Sequence, residues 1–217
     1  MALKEYSKKR VFNLTPEPTD GKSSSEALHF VVQKHDASRL HYDFRLEMAG
    51  VLKSWAVPKG PSLNPDDRRL AMMVEDHPYD YKDFEGLIPE GNYGAGTVII
   101  WDQGTYDSLE PLPSKKETEK SLLNQLKSGS LKFRLNGEKL KGEFALVHIK
   151  KSGKEDNAWL LIKHRDAFAT SADVTKKGKS VVSGKTIVQM GKNKDAEQWT
   201  GKPKKKIGSR REKKIIL

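Results

Sequence analysis

Residues 33–47, QKHDASRLHYDFRLE, carry the pattern that decides the fold. From residue 40 onward apolar and polar residues alternate, as they do in a β-strand, where successive side chains point to opposite faces. Two sets of side chains each share a face: Leu40, Tyr42, Phe44 and Leu46 on the apolar one, and His41, Asp43, Arg45 and Glu47 on the polar one. The segment is therefore predicted to be a strand whose apolar face lies in a core.

The polar face of this strand carries residue types that bind metals and phosphates. His41 and Asp43 lie on it, and His35 lies just upstream, beyond a turn-like Asp-Ala-Ser. Two imidazoles and one carboxylate suit a divalent ion such as Mn, Fe or Zn, and three protein ligands leave positions open for water or substrate. Arg45 adds a planar fork that matches a phosphate or a carboxylate. The alternative is a polar, solvated sheet face with incidental histidines.

Short strand-like segments recur through the rest of the chain. They are residues 30–33, 51–57, 70–75, 97–101, 131–135, 142–150 and 159–163, with a hairpin turn at Gly50. One helix is predicted over residues 114–127, with Ser114 as its cap, Glu117 completing a capping box and Gly129 after its end. The predicted fold class is mainly β, a small antiparallel β-barrel with one or two short flanking helices and disordered termini.

Composition narrows the class of protein. A length of 217 residues suits one domain plus tails. The absence of cysteine excludes disulfides and thiolate metal sites and fits a reducing compartment. No apolar run approaches the ~20 residues that a membrane helix needs, and the N-terminus lacks the apolar segment of a signal peptide. We expect a soluble cytoplasmic protein.

The net charge of +11 is concentrated at the C-terminus. Residues 171–217 hold 14 Lys and Arg against 4 Asp and Glu, so the rest of the chain is nearly neutral. This segment has few large apolar residues and is predicted to be mostly disordered. A basic tail of this kind favours contact with nucleic acid through neutralised phosphates. A solubilising tail or a linker is the alternative.

A second polar cluster is predicted over residues 69–77. Arg69, Glu75 and His77 share one face of a strand there, and Tyr81 follows. A histidine near Arg45 could act on a phosphoryl group as a hydrogen-bond donor or an acid, whereas a surface histidine before a proline is the alternative. The loop GLIPEGNYGAG, residues 86–96, lacks the Lys-Ser/Thr pair of a P-loop. It is predicted to make tight turns that shape the barrel mouth and to bind no nucleotide.

Five blocks of sequence, in this order, resemble the 3′-phosphoesterase domain of bacterial DNA ligase D, a family that also has free-standing members. They are FVVQKHDASRLHYDFRLE (30–47), SWAVPKGPS (54–62), VEDHPYDYKDFEG (74–86), IPEGNYGAG (88–96) and WDQGTY (101–106). The resemblance runs from about residue 6 to about residue 169. It implies a small β-barrel enzyme that uses Mn²⁺, or another divalent transition metal, to remove 3′-terminal phosphates and 3′-terminal ribonucleotides. The product is a 3′-OH for end-joining repair.

The resemblance also implies roles and partners. Three sets of residues follow from it: the metal ligands His35, His41 and Asp43; the catalytic residues His77, Arg45, Tyr81 and Glu75; and the substrate-binding residues Arg10, Glu17, Gln33, Lys59 and Arg69. Val11 stands where the family often has an acidic residue, which predicts a weaker contribution of this arm, to ribonucleotide removal above all. The implied partners are DNA 3′ ends and, in end joining, an ATP-dependent DNA ligase, a polymerase domain and Ku, with no membrane.

Three parts of the chain are therefore expected. Residues 1–27 form an arm that contributes to the site, residues 28–170 the phosphoesterase barrel domain, and residues 171–217 the basic tail or linker. A non-catalytic nucleic-acid-binding scaffold would keep the barrel and the tail but should lack some of the implied metal and phosphate residues. All are present, which favours an enzyme. A nucleotide-binding ligase is not supported, because no Lys-x-Asp-Gly motif occurs.

Overall fold

The computed structural model describes residues 3, 5–6, 25–149 and 157–198, and Arg10, Val11 and Glu17 lie outside these ranges. The strands of the described residues are β1 (Leu28–Asp36), β2 (Leu40–Met48), β3 (Val51–Val57), β4 (Arg68–Met73), β5 (His77–Pro78), β6 (Gly86–Ile88), β7 (Gly96–Ser108), β8 (Ser130–Gly137), β9 (Lys141–His148), β10 (Ala158–Lys163) and β11 (Glu197–Gln198). The α-helices there are α1 (Lys115–Ser128) and α2 (Ile187–Gly191), and 3₁₀ helices span Tyr79–Asp83 and Val174–Lys176.

Eight of these strands close into an antiparallel barrel. Their order around the barrel is β1-β2-β3-β4-β10-β9-β8-β7, and β1 pairs with both β2 and β7, which closes the ring. Three short strands lie outside this ring: β5 pairs with β3, β6 with β7, and β11 with β6. The predicted mainly-β barrel is confirmed. None of the helices in the described ranges is long and apolar enough to cross a membrane.

The barrel interior holds the main hydrophobic core. On β2 the alternation predicted from the sequence places Tyr42, Phe44 and Leu46 inside, whereas Leu40, at the strand's start, is 45% exposed. The rings of Phe44 and Phe133 lie 5.8 Å apart, between centroids, and Phe133 stacks on Phe144 at 6.3 Å. Burying one such side chain contributes about 1.5–3 kcal/mol, so this aromatic column is a principal source of stability.

The outer face of the β1–β2–β3 wall is covered as well. A second apolar cluster lies there, made of Leu52, Tyr79, Tyr81, Phe84, Ile88 and Val98. As a result the polar face of β2 is not solvated: Asp43, Arg45 and Glu47 are all buried. The alternative of a solvated sheet face with incidental histidines is therefore wrong. Buried charges need partners, and the partners of this face define the site described below.

Helix α1 forms where the sequence predicts it. The Ser114 hydroxyl accepts a hydrogen bond from the backbone N–H of Glu117, and Gly129 ends the helix in the left-handed conformation at φ +83°. Leu122 is buried, with Leu123 and Leu126 packed against the same core. This apolar stripe anchors the helix on the barrel, because a short isolated helix is only marginally stable in water.

The chain beyond residue 170 packs on the barrel as far as it is described. Val174 is buried in the barrel core and Met190 is also buried. The indole N–H of Trp101 donates to the carbonyl of Lys177 at 2.8 Å. The prediction that the chain is mostly disordered from residue 171 is therefore wrong for residues 171–198, and 199–217 lie outside the described residues. The reason is that these few apolar contacts reach distant parts of the chain, which local composition does not reveal.

Candidate functional site

Strand pairing brings the predicted metal ligands together. In the β1–β2 register His35 lies opposite His41, and Gln33 lies opposite Asp43, on the outer face of the wall. The two imidazole rings are 4.8 Å apart between centroids. The hairpin thus turns two short sequence motifs into a single cluster, since directly opposed residues of an antiparallel pair are close neighbours.

The geometry of this cluster fits a metal ion. One ligand atom from each of His35, His41 and Asp43 lies within 4.8 Å of the others. His35 Nδ1 is 3.5 Å from Asp43 Oδ2, and His41 Nε2 is 3.8 Å from Asp43 Oδ1. Two ligands that are each about 2.1 Å from one ion lie roughly 3.0–3.5 Å apart. Small side-chain movements would therefore bring all three within coordination distance.

Backbone carbonyls orient both histidines for this role. His35 Nε2 lies 2.9 Å from the carbonyl of Gly94, and His41 Nδ1 lies 2.8 Å from the carbonyl of Arg39. A ring nitrogen bonded to a carbonyl must carry the proton, so the lone pairs are on His35 Nδ1 and His41 Nε2. These are the two nitrogens that face Asp43. Such outer hydrogen bonds select the tautomer and hold the rings of metal-binding histidines.

Asp43 is ionised in this environment. Burial alone would raise the pKa of its carboxyl, but Arg45, a hydrogen bond with His35 and the charges of both histidines outweigh it. Together they hold the pKa of Asp43 well below its usual range. The cluster therefore presents an anionic oxygen ligand beside two imidazole nitrogens, which is the donor set of a divalent transition metal.

Arg45 is held rigidly next to the cluster. Its Nε donates to Gln33 Oε1 at 2.8 Å, its Nη1 donates to Ser54 Oγ at 2.9 Å, and its Nη2 lies 3.3 Å from Asp43 Oδ2. The guanidinium also lies over the Tyr81 ring at 4.9 Å. A guanidinium has five N–H groups, so these three contacts leave two for a ligand. The side chain is only 3% exposed, and its position is set before any ligand binds.

His77 completes the polar wall from the other side. The predicted continuous strand over residues 69–77 is interrupted, because β4 ends at Met73 and His77 belongs to β5, which pairs with β3. His77 Nδ1 lies 2.9 Å from the carbonyl of Glu75, so Nε2 is the lone-pair nitrogen of the neutral ring. The rings of Tyr81 and Tyr6 meet it edge-on, at 5.0 and 5.2 Å between centroids.

A small cavity joins these groups. It measures about 200 Å³. Its polar lining comes from His35, His41, Asp43, Arg45, Glu75, His77, Tyr81 and Tyr93. It therefore holds every residue that we predicted as a metal ligand or catalytic residue. Its charge is divided between an anionic metal cluster at one end and the Arg45–His77 pair at the other.

The predicted substrate-binding residues are placed differently. Gln33 does not line the cavity but orients Arg45, while its own amide donates to the carbonyls of Tyr81 and Phe84. Lys59 and Arg69 are not among the cavity's lining residues, and Arg69 pairs with Asp67 instead. Glu47, on the polar face of β2, pairs with His29 and Lys115 away from the cavity.

Two residues at the site were not predicted. Ser54 accepts from Arg45 and lies 3.4 Å from His77 Nδ1. Its position follows from the β2–β3 hairpin register, Arg45 opposite Ser54, which a two-residue turn at Ala49-Gly50 could have given. Tyr6 is fully buried against His77, and no local sequence signal marks it.

Comparison with known proteins gives a consistent assignment. Residues 33–148 match the family model described as the DNA ligase D 3′-phosphoesterase domain. The chain is 49% identical over 193 residues, 86% of its length, to the multifunctional non-homologous end joining protein LigD of Pseudomonas aeruginosa. It is 45% identical over 147 residues, 67% of its length, to a LigD of Mycobacterium tuberculosis, and 41% over 167 residues, 76%, to that of Mycolicibacterium smegmatis. The aligned segments are 22%, 18% and 21% of these relatives, so the chain spans about a fifth of their length.

Proposed function

Because this chain belongs to the DNA ligase D 3′-phosphoesterase domain family, we propose that it is a metal-dependent hydrolase of DNA 3′ ends. It would remove a 3′-terminal phosphate, and a 3′-terminal ribonucleotide, to leave a 3′-OH for end joining. The observation that carries the proposal is the cavity that unites the His35, His41 and Asp43 cluster with Arg45 and His77. A binding module would have no need of this buried polar set, whose desolvation is costly.

The three residues of the cluster would hold the metal, with Mn²⁺ as the proposed ion. A divalent ion bound there supplies positive charge that polarises a phosphoryl oxygen. The chain supplies the rest of the electrostatics: the two remaining N–H groups of Arg45 would bind phosphate oxygens through charge-assisted hydrogen bonds. Gln33 and Ser54 act through Arg45, because they keep its guanidinium in one orientation. A preset donor needs no reorganisation as charge builds up on the phosphoryl group.

His77 would serve the leaving group. Hydrolysis of a 3′ monophosphate breaks the bond between phosphorus and the 3′ oxygen, and that oxygen must receive a proton. With Nδ1 directed to the Glu75 carbonyl, Nε2 of His77 is the nitrogen that can deliver it or donate a hydrogen bond to the developing charge. Tyr6 and Tyr81 flank the imidazole and limit its rotation, and Tyr6 supports the proposal that the N-terminal arm contributes to the site.

The wider context of this activity is proposed from the relatives. The curated relatives are named as multifunctional non-homologous end joining proteins. We propose that this chain acts in the cytoplasm on primer–template or duplex ends. There it would work with an ATP-dependent DNA ligase, a polymerase domain and Ku. Lys59, Arg69, Arg10 and Glu17 would contact the DNA or ribose beyond the cavity, and residues 171–217 would add a basic surface for the duplex.

The test is release of phosphate from a primer–template that carries a 3′-phosphate, with and without Mn²⁺. His41→Ala and Asp43→Ala should each abolish Mn²⁺-dependent release while the fold, measured by circular dichroism, is kept. His164→Ala is the matched control, since this surface histidine pairs only weakly with Glu143 and lies away from the cavity. Near-wild-type turnover by folded Asp43→Ala protein would exclude the assignment. DNA binding without any turnover by the wild type would favour the scaffold alternative.

A further inference from the structure

The metal-site cavity is too small for a whole nucleotide. At about 200 Å³ it lies below the roughly 300 Å³ at which protein pockets begin to enclose drug-sized ligands. Its polar groups suit a phosphate and an ion. The nucleoside that carries the phosphate must therefore lie outside this cavity, on a surface next to it.

A second cavity adjoins the first. It measures about 600 Å³ and shares the lining residues Ala37 and Ile88 with the metal-site cavity. Its charged lining residues are the carboxylates Asp36 and Glu90, without a lysine or arginine. Carboxylates repel phosphates but accept hydrogen bonds from sugar hydroxyls and base amino groups. We name this space, lined by residues 36–38, 87–90 and 95–97, the side cavity.

Tyr93 stands at the boundary between the two cavities. Its side chain lines the metal-site cavity, while its loop neighbours Glu90 and Ala95 line the side cavity. Tyr93 is 52% exposed, although large aromatic side chains are mostly buried in this chain as far as the structure describes it. An exposed aromatic ring beside a phosphate site is a surface on which a nucleobase can stack.

The loop that carries Tyr93 is held in a defined conformation. Gly91 and Gly94 on either side have φ values of +86° and +78°, which favour glycine. The backbone N–H of Ala95 donates to the carbonyl of Asn92 at 3.1 Å, and the Gly94 carbonyl holds His35. One short loop therefore orients a metal ligand and also presents an aromatic ring at the cavity rim.

We propose that Tyr93 stacks on the 3′-terminal base of the substrate and that the side cavity holds the terminal nucleoside. This inference rests on the proposed function, since it assumes a nucleic-acid 3′ end as the substrate. Tyr93 is a positioning residue: it binds the nucleoside so that the 3′-phosphate enters the metal-site cavity. Its contribution should appear in KM and in binding affinity, and not in kcat.

The test compares two primer–templates that differ only in the terminal nucleoside. One ends in a normal nucleoside 3′-phosphate, and the other ends in an abasic tetrahydrofuran 3′-phosphate. Base stacking on one aromatic side chain corresponds to about 5- to 150-fold in affinity. Tyr93→Ala should raise KM by a factor in this range for the normal substrate and should leave the abasic substrate unchanged. Tyr93→Phe should behave as wild type, and Phe168→Ala, which removes another exposed aromatic ring, is the matched control.

Binding is measured separately, by fluorescence anisotropy of both oligonucleotides without turnover. Wild-type protein should bind the normal end more tightly than the abasic end, and Tyr93→Ala should lose this preference. An equal loss on both ends would mean that Tyr93 acts only through the loop and His35, and no loss on either would mean that it makes no contact; both results overturn the proposal. If the wild type hydrolyses neither substrate but prefers the normal end through Tyr93, then the proposed function fails and the stacking site stands.

Discussion

Replacing Arg45 with lysine separates charge from geometry at the phosphate-binding end of the cavity. The three guanidinium nitrogens are already engaged with Gln33, Ser54 and Asp43, at 2.8, 2.9 and 3.3 Å. Two N–H groups are left to bind two phosphate oxygens, whereas an ammonium on a flexible stem cannot keep the protein contacts and the two phosphate contacts together.

The expected loss can be estimated from these contacts. A hydrogen bond to a charged group contributes about 1.5–3 kcal/mol. If lysine preserves one of the two phosphate bonds, then kcat/KM should fall by about 10- to 150-fold. Arg45→Met removes both bonds, and the fall should be on the order of 10²- to 10⁴-fold. Mn²⁺ affinity should change little in Arg45→Lys, because the positive charge that keeps Asp43 ionised is retained.

The assay is 3′-phosphate release at substrate concentrations well below KM, together with Mn²⁺ titration of each variant. Arg134→Lys is the control, because this exposed arginine makes a cross-strand pair with Glu143 away from the cavity. Arg45→Lys with near-wild-type kcat/KM would refute the two-bond grip. If Arg45→Lys lost Mn²⁺ affinity as completely as Asp43→Ala, then Arg45 would act through the metal cluster and the division of roles would be wrong.

Three further predictions follow from the site, the C-terminal segment and one buried lysine. His77→Ala should keep Mn²⁺ affinity and lose phosphate release; loss of metal as complete as in His41→Ala would make His77 a ligand. Truncation after residue 198 removes eight Lys and Arg and one Glu, and it should lower the slope of log affinity against log salt by ~0.9 per lost phosphate contact on duplex DNA. An unchanged slope would show that this segment makes no DNA contact, whereas truncation after residue 170 should also lower Tm, because Val174 and Met190 are buried. Burial lowers the pKa of Lys139 to about 8, against the opposing effect of Asp102 and Glu138; the unfolded chain then binds more protons between pH 8 and 10.5, so the free energy of unfolding should rise with pH across this window, and in chemical denaturation Lys139→Met should lack this rise.

Much of the fold was readable because its signals are local. Alternation along β2, the Ala49-Gly50 hairpin turn and the capping residues of α1 each depend on neighbours a few residues apart, and the structure confirms all three. The signals that failed were those of long-range packing. Residues 171–198 look like a polar tail in composition, yet Val174 enters the barrel core and Trp101 binds the carbonyl of Lys177. A few well-placed contacts outweigh average polarity once the partner surface exists.

The candidate site divides in the same way. The sequence by itself determined which chemistry this protein could carry, because two histidines, an aspartate and an arginine on and beside one strand face are the ligand types of a divalent metal and a phosphate. Only the tertiary structure decided which groups meet: the β1–β2 register sets His35 opposite His41, and the Gly94 carbonyl orients His35. It also excluded Arg69 from the cavity and brought Tyr6 into contact with His77. The physical reason is that strand periodicity assigns a side chain to a face, while its neighbours on that face come from strand pairing and from loops distant in sequence.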